Sequence, residues 1–176
     1  MTLTSKQEQV HGSAFGPNSS LLNGAMLNLY IDGSYDAARK KGGWAFVATS
    51  DENRITSSHA GSFDGDSNNT LELVAAVKAL EWAMTSIDAA AITIWSDSNY
   101  VVEGCNVRRP IWSNNGWKRY NPNPKKRNRS IPDADLWKSM DLMLRQNPGV
   151  LVAWCKGHDG NVGNELADKL AREASS

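Results

Sequence analysis

From Met26 to Asp32 apolar and polar residues alternate (MLNLYID), the two-residue period of a strand with one face in a core. Gly42 to Ser50 (GGWAFVATS) and Arg54 to Phe63 continue in the same vein, divided by the turn-forming Asp51-Glu52-Asn53. Three strands with short connections predict an antiparallel meander. The period then lengthens. From Asn69 to Ser86, Leu71, Val74, Ala75, Val77, Ala79, Leu80 and Trp82 fill a broad helical face, and Ser67-Asn68-Asn69 offers caps. Ala91 to Trp95 (AITIW) reads as a short buried strand ending on Ser96-Asp97, where a short helix begins. Asp133 to Gln146 reads as a helix, Val150 to Cys155 as a fifth strand and Val162 to Ala174 as a final helix. Strands followed by alternating helices and strands predict an α/β fold, a mixed sheet covered by helices. Trp44, Trp82, Trp95, Trp137 and Trp154 lie in these elements and are expected in the core, at least in part. Residues 1–25, rich in Ser, Gly, Asn and Gln, carry no period and are expected to be a flexible leader to one domain spanning 26–176.

Two of the predicted strands deliver a carboxylate at the same place. Asp32 and Asp97 each follow an apolar strand and precede a small residue. In an open α/β sheet ligands collect beyond the carboxyl ends of the strands, where strand order reverses. If the first and fourth strands are neighbours, these two acids emerge side by side. Glu72, in the first turn of the long helix, lies in a stripe that packs on the sheet, so it can project over the same edge. Asp168 shares a helical face with Asn164, four residues earlier. Crowded carboxylates repel, so they must be protonated or neutralised by a cation. Oxygen ligands select Mg²⁺ or Mn²⁺, and a pair of such ions can hold the attacking and the leaving oxygen of an in-line phosphoryl displacement. His158, between Gly157 and Gly160, sits in a loop after the fifth strand, where it can shuttle a proton or assist a leaving group.

Charge adds one feature. The 19 basic and 19 acidic residues cancel, so net charge names no partner. Their distribution is uneven: between Glu103 and Asp133 there is no acid, but there are Arg108, Arg109, Lys118, Arg119, Lys125, Lys126, Arg127 and Arg129. Trp112, Trp117 and Tyr120 are interleaved with them, a combination suited to phosphates and to sugar or base faces. Cys105 and Cys155 have no metal-type spacing and read as reduced structural thiols. No stretch is long and apolar enough to span a bilayer, and no secretory signal is visible. A cytoplasmic monomer is the expectation.

Taken in order, YIDGS (30–34), SNNTLEL (67–73), SDSNYV (96–101), GWK (116–118), DLW (135–137) and KGHDGNVGNELAD (156–168) resemble the ribonuclease H type 1 family from Met26 to Ala174. The resemblance implies a five-stranded mixed sheet of order 3-2-1-4-5, its first three strands antiparallel, flanked by helices and carrying a basic protrusion. It implies metal-dependent endonucleolytic cleavage of the RNA strand of an RNA–DNA hybrid, with 5′-phosphate and 3′-hydroxyl products. By the same resemblance Asp32, Glu72, Asp97 and Asp168 are the metal-binding carboxylates, holding two Mg²⁺ ions or Mn²⁺ in their place. His158 is the mobile loop histidine. Gly33, Asn68, Asn69 and Asn99 grip the RNA backbone and its 2′-hydroxyls, the groups that distinguish RNA from DNA. Asn164 joins the substrate side. Trp112, Trp117, Lys118, Arg119, Lys125, Lys126 and Arg127 hold the hybrid, chiefly by its DNA strand.

The chain departs from the family pattern in three places. The Gly- and Pro-rich loop that many relatives carry after the first Asp is replaced by Tyr35 to Lys41, with Ala38 where an RNA-touching asparagine is expected. Arg108 stands where some relatives have tryptophan. The stretch from Tyr120 to Pro132 is longer than in compact bacterial members. A fold that binds hybrid without turnover, and a nuclease of the wider fold acting on DNA, are the alternatives. Four filled acidic positions argue against the first, and NNTLEL with the loop histidine against the second.

Overall fold

A computed structural model of the chain describes residues 26–86, 91–119, 121, 123, 125 and 129–176. The elements in chain order are β1 (Met26–Asp36), β2 (Lys41–Thr49), β3 (Ile55–Phe63), α1 (Asn68–Ser86), β4 (Ala91–Ser96) and α2 (Asn99–Glu103). A π-helical turn (Gly104–Arg108) leads into α3 (Arg109–Asn114), followed by α4 (Ala134–Gln146), β5 (Leu151–Trp154) and α5 (Val162–Ala174). The five strands form one sheet of order β3-β2-β1-β4-β5. β1, β2 and β3 pair antiparallel, whereas β4 pairs parallel to both β1 and β5. The expected α/β architecture and strand order are those observed.

β2 is buried along nearly its whole length. That follows from its central place, since α1 and α5 both pack on it as well as on β1. An all-apolar run such as WAFVA suits a strand covered on both faces. α1 is likewise buried almost all round: every residue from Thr70 to Val77 is buried, Glu72 among them. It lies between the sheet and α4. Its start is capped by Ser67, whose Oγ accepts the Thr70 N–H at 3.2 Å. Leu27, Leu29, Ile31, Phe46, Leu73, Leu80, Ile94, Trp137 and Met140 share one core.

Asp133 fastens the helical layer. It precedes α4 with a left-handed backbone (φ 54°), and its carboxylate accepts hydrogen bonds from Thr70 Oγ1 at 3.0 Å and the Tyr100 hydroxyl at 2.8 Å. Trp137 Nε1 donates to the same Tyr100 oxygen at 3.0 Å. The starts of α1, α2 and α4 are thereby tied together next to the carboxyl end of the sheet.

Some expectations shift. β1 does not end at Asp32. Its pairing with β4 runs from Met26 to Tyr30, while its pairing with β2 continues to Asp36, so Asp32 lies within β1 but beyond its parallel neighbour. α2 begins at Asn99 after Ser98, which places Asp97 in the turn between strand and helix. Glu72 falls in the second turn of α1 rather than the first. Trp44 and Trp137 are in the core, but Trp154 is 52% exposed because β5 is the edge strand. The leader, residues 1–25, lies outside the described residues, as do Tyr120, Lys126 and Arg127.

Candidate active site

Parallel pairing makes the central geometry inevitable. Tyr30 of β1 stands opposite Trp95 of β4. Asp32 and Asp97 each lie two residues further on, so both stand just past the last β1–β4 pair, at the same end of that pairing. Between β1 and β4 the chain order reverses, since β2 and β3 lie to one side of β1 and β4 to the other. Glu72 reaches the same spot from above because α1 sits very low over β1. A Cβ built on Gly33 would meet the Glu72 backbone nitrogen at 2.2 Å, so only glycine permits this approach. Asp32, Glu72 and Asp97 each offer a carboxylate oxygen within 4.8 Å of the others.

The site is electrostatically frustrated. Burial and the nearby Asp97 push the Asp32 carboxyl up from 3.8 to about 7, against an opposing pull from Arg172 and the Gly33 N–H. Burial, then Asp32 and Asp97, raise Glu72 well above the usual carboxylate range. Glu72 Oε2 is sealed from solvent and, among the described residues, has no hydrogen-bond partner. A buried unpaired carboxylate oxygen among other carboxylates is costly, and a divalent cation relieves both the repulsion and the missing bond. The donor set is all oxygen and suits a hard cation. Cys155 is half-buried close by. Burial and the Asp97 charge push its thiol up to about 11, so it stays protonated, and Sγ donates to Asn164 Oδ1 at 3.5 Å.

Asp168 lies on α5, outside the three-carboxylate set, and forms an ion pair with Arg172 one turn along. Arg172 carries no signal in the sequence except its spacing of four from Asp168, and it was not among the expected site residues. His158 is exposed, with a left-handed backbone (φ 53°). Its loop borders the acids: a Cβ on Gly157 would lie 2.5 Å from Asp97 Oδ2.

The remaining expected residues fall into distinct environments. Asn68, Asn69 and Asn99 are exposed at the starts of α1 and α2, and Asn68 Oδ1 accepts the Tyr35 N–H at 2.8 Å. Gly33 is buried beneath α1, and Asn164, in the first turn of α5, is buried at 3% exposure. Trp112 packs on Trp137 with ring centres 5.2 Å apart, and Trp117 also leans on the core, so each spends part of its surface on packing. Lys118, Arg119 and Lys125 are exposed. Lys118 bridges to Ser130, and the Arg119 N–H donates to the Arg129 carbonyl at 2.8 Å, closing the base of the basic loop. The positive charge is less open than its run suggests. Arg108 pairs with Glu103 at 2.6 Å, and Arg109 pairs with the buried Asp141 at 2.6 Å.

Comparisons with known proteins point to one family and one fold. A family model described as RNase H matches residues 24–176. The ribonuclease H of Francisella tularensis subsp. novicida is 34% identical over 145 residues, which are 82% of this chain and 88% of that protein. Among solved structures, the fold is similar to that of the PFV RNase H domain (TM-score 0.70, 24% identity), covering 86% of this chain and 95% of that one. It is also similar to part of the foamy viral protease-reverse transcriptase solved in complex with RNA/DNA hybrid (TM-score 0.69, 21% identity). That match covers 99% of this chain but 22% of the viral one, so the chain corresponds to a small part of that polypeptide.

Proposed function

The chain belongs to the RNase H family, and from that premise we propose that the site where the pairing of β1 with β4 ends is where it cuts the RNA strand of RNA–DNA hybrids. It is a divalent-metal-dependent endonuclease by family. The observation that carries the assignment of the site is the convergence of Asp32, Glu72 and Asp97, with their oxygens within 4.8 Å of one another and Glu72 Oε2 unpartnered.

In this reading Asp32, Glu72 and Asp97, joined by Asp168, hold two Mg²⁺ ions, for which Mn²⁺ can substitute. When bound, such cations supply charge neutralisation at the scissile phosphate and Lewis-acid polarisation of the water that attacks it. The protein's own share is positional. Gly33 lets α1 sit low enough for Glu72 to face Asp32. The turn after β4 aims Asp97 at both, and the Lys156–Gly160 loop closes the rim. His158 on that loop moves a proton at the departing 3′ oxygen, leaving 5′-phosphate and 3′-hydroxyl ends. Asn68, Asn69 and Asn99 flank the cleft as ligands for the RNA backbone and 2′-hydroxyls. Lys118, Arg119 and Lys125, with Lys126 and Arg127, take the DNA-strand phosphates.

Incubation with Mg²⁺ and end-labelled duplexes of one sequence tests the reading. RNA cut only in the hybrid supports it. Cleavage of double-stranded DNA, or a hybrid bound and left intact, contradicts it.

A further inference from the structure

We infer that Arg172 is the resident counter-ion of the fourth carboxylate and weakens the site's hold on divalent cations, a reading that rests on the cation-binding role proposed above for Asp32, Glu72, Asp97 and Asp168. The four acids are not equivalent. Among the described residues Asp32, Glu72 and Asp97 form no ion pair, whereas Asp168 is engaged by the Arg172 guanidinium. Asp168 is largely covered, with its side chain 21% exposed, while that of Arg172 is 61% exposed.

The backbone beneath this pair is fixed and the side chain above it is free to leave. Ala171 is fully buried. Ser175 Oγ donates to the Arg172 carbonyl at 2.9 Å and lies within hydrogen-bond reach of Ser34 Oγ at 3.3 Å, which pins the end of α5 to β1 near Asp32. Arg172 can therefore swing into solvent without disturbing α5. A cation that recruits Asp168 must displace the guanidinium first, which lowers its affinity. Entry to Asp32, Glu72 and Asp97 meets no such competitor among the described residues, so one cation binds more tightly than the other.

Mn²⁺ titration of the hybrid-free protein by calorimetry, with melting temperature followed in parallel, tests this. The wild type gives two phases. Arg172→Gln tightens the weaker phase by about two- to fivefold, the range an exposed ion pair commands, and Arg172→Lys stays near the wild type. In an Asp168→Asn background Arg172→Gln produces a smaller change. An unchanged or weaker affinity in Arg172→Gln, or equal effects in both backgrounds, overturns the inference while leaving the cation site standing. A wild type that shows neither Mn²⁺ heat nor a Mn²⁺-dependent melting shift overturns the cation site, and the inference with it. Should Arg172→Gln fail to fold, Arg172→Met carries the same comparison.

Discussion

The backbone of Glu72 presses directly on Gly33: a Cβ on Gly33 would stand 2.2 Å from the Glu72 nitrogen and 2.3 Å from the Leu71 carbonyl carbon. Neither clash can be relieved by a side-chain rotation. Gly33→Ala must therefore lift α1 off β1, and overpacking of this kind costs about 1–3 kcal/mol. The expected result is a melting temperature lower by roughly 3–10 °C and a loss of cleavage larger than the loss of stability explains, because Glu72 moves with the helix. Thermal melts beside turnover measurements check both. An Ala variant with normal activity would show that Glu72 is not placed by this contact.

How much of this was legible beforehand depends on which forces act locally. α5 matches its expected bounds from Val162 to Ala174, and α1 and α4 differ by one residue at the start, because helical periodicity and caps are local signals. Asp97 follows the end of its strand as expected, whereas Asp32, expected at a strand end, does not. Their adjacency rests on parallel pairing of β1 with β4, which no local pattern encodes. Asp32 lies inside β1 because antiparallel pairing with β2 outlasts parallel pairing with β4. Trp154, expected in the core at least in part, is half exposed because an aromatic in a strand reads as buried until the strand proves to be an edge. The pairing of Arg109 with Asp141 bridges 32 residues, so the basic run looked more open than it is.

The raised carboxylates give a pH dependence with a definite sign. In the cation-free folded protein Asp32 keeps its proton until about pH 7, whereas its ordinary value is 3.8. Between those values the folded state binds more protons than the unfolded chain, so stability falls as pH rises; Glu72 acts in the same direction. In EDTA the melting temperature should drop from pH 5 to pH 8. Asp32→Asn should flatten that drop and melt higher than the wild type at pH 8. Mg²⁺ should restore the wild type much more than the variant. A wild-type melting curve that is more stable at pH 8 than at pH 5 in EDTA would contradict the electrostatic description.

Basic residues in one segment should separate by role. Lys118→Ala, Arg119→Ala and Lys125→Ala remove exposed charges, and together they should raise KM for hybrid and flatten its salt dependence, with kcat and folding little changed. Arg109→Ala removes a partner from Asp141, whose side chain is 11% exposed and keeps Arg145 at 2.9 Å. Its expected effect is a stability loss on the order of 2 kcal/mol with an unchanged salt slope. Plots of log KM against log salt, together with denaturant midpoints, distinguish the two classes.

His158 stands on a loop that touches Asp97 yet is itself exposed. His158→Ala should slow kcat by about 10²–10⁴-fold and leave KM and the metal-free melting temperature near wild type. A variant whose kcat is unchanged would assign the histidine to the surface rather than to the reaction.

The most direct test is single-turnover cleavage of an RNA–DNA hybrid in Mg²⁺ by Asp32→Asn, Glu72→Gln and Asp97→Asn, each first shown by circular dichroism to be folded. Three acids acting as one cation-holding unit predict that every variant loses at least about 10²-fold in rate. Cleavage at the wild-type rate by any one folded variant would contradict the account.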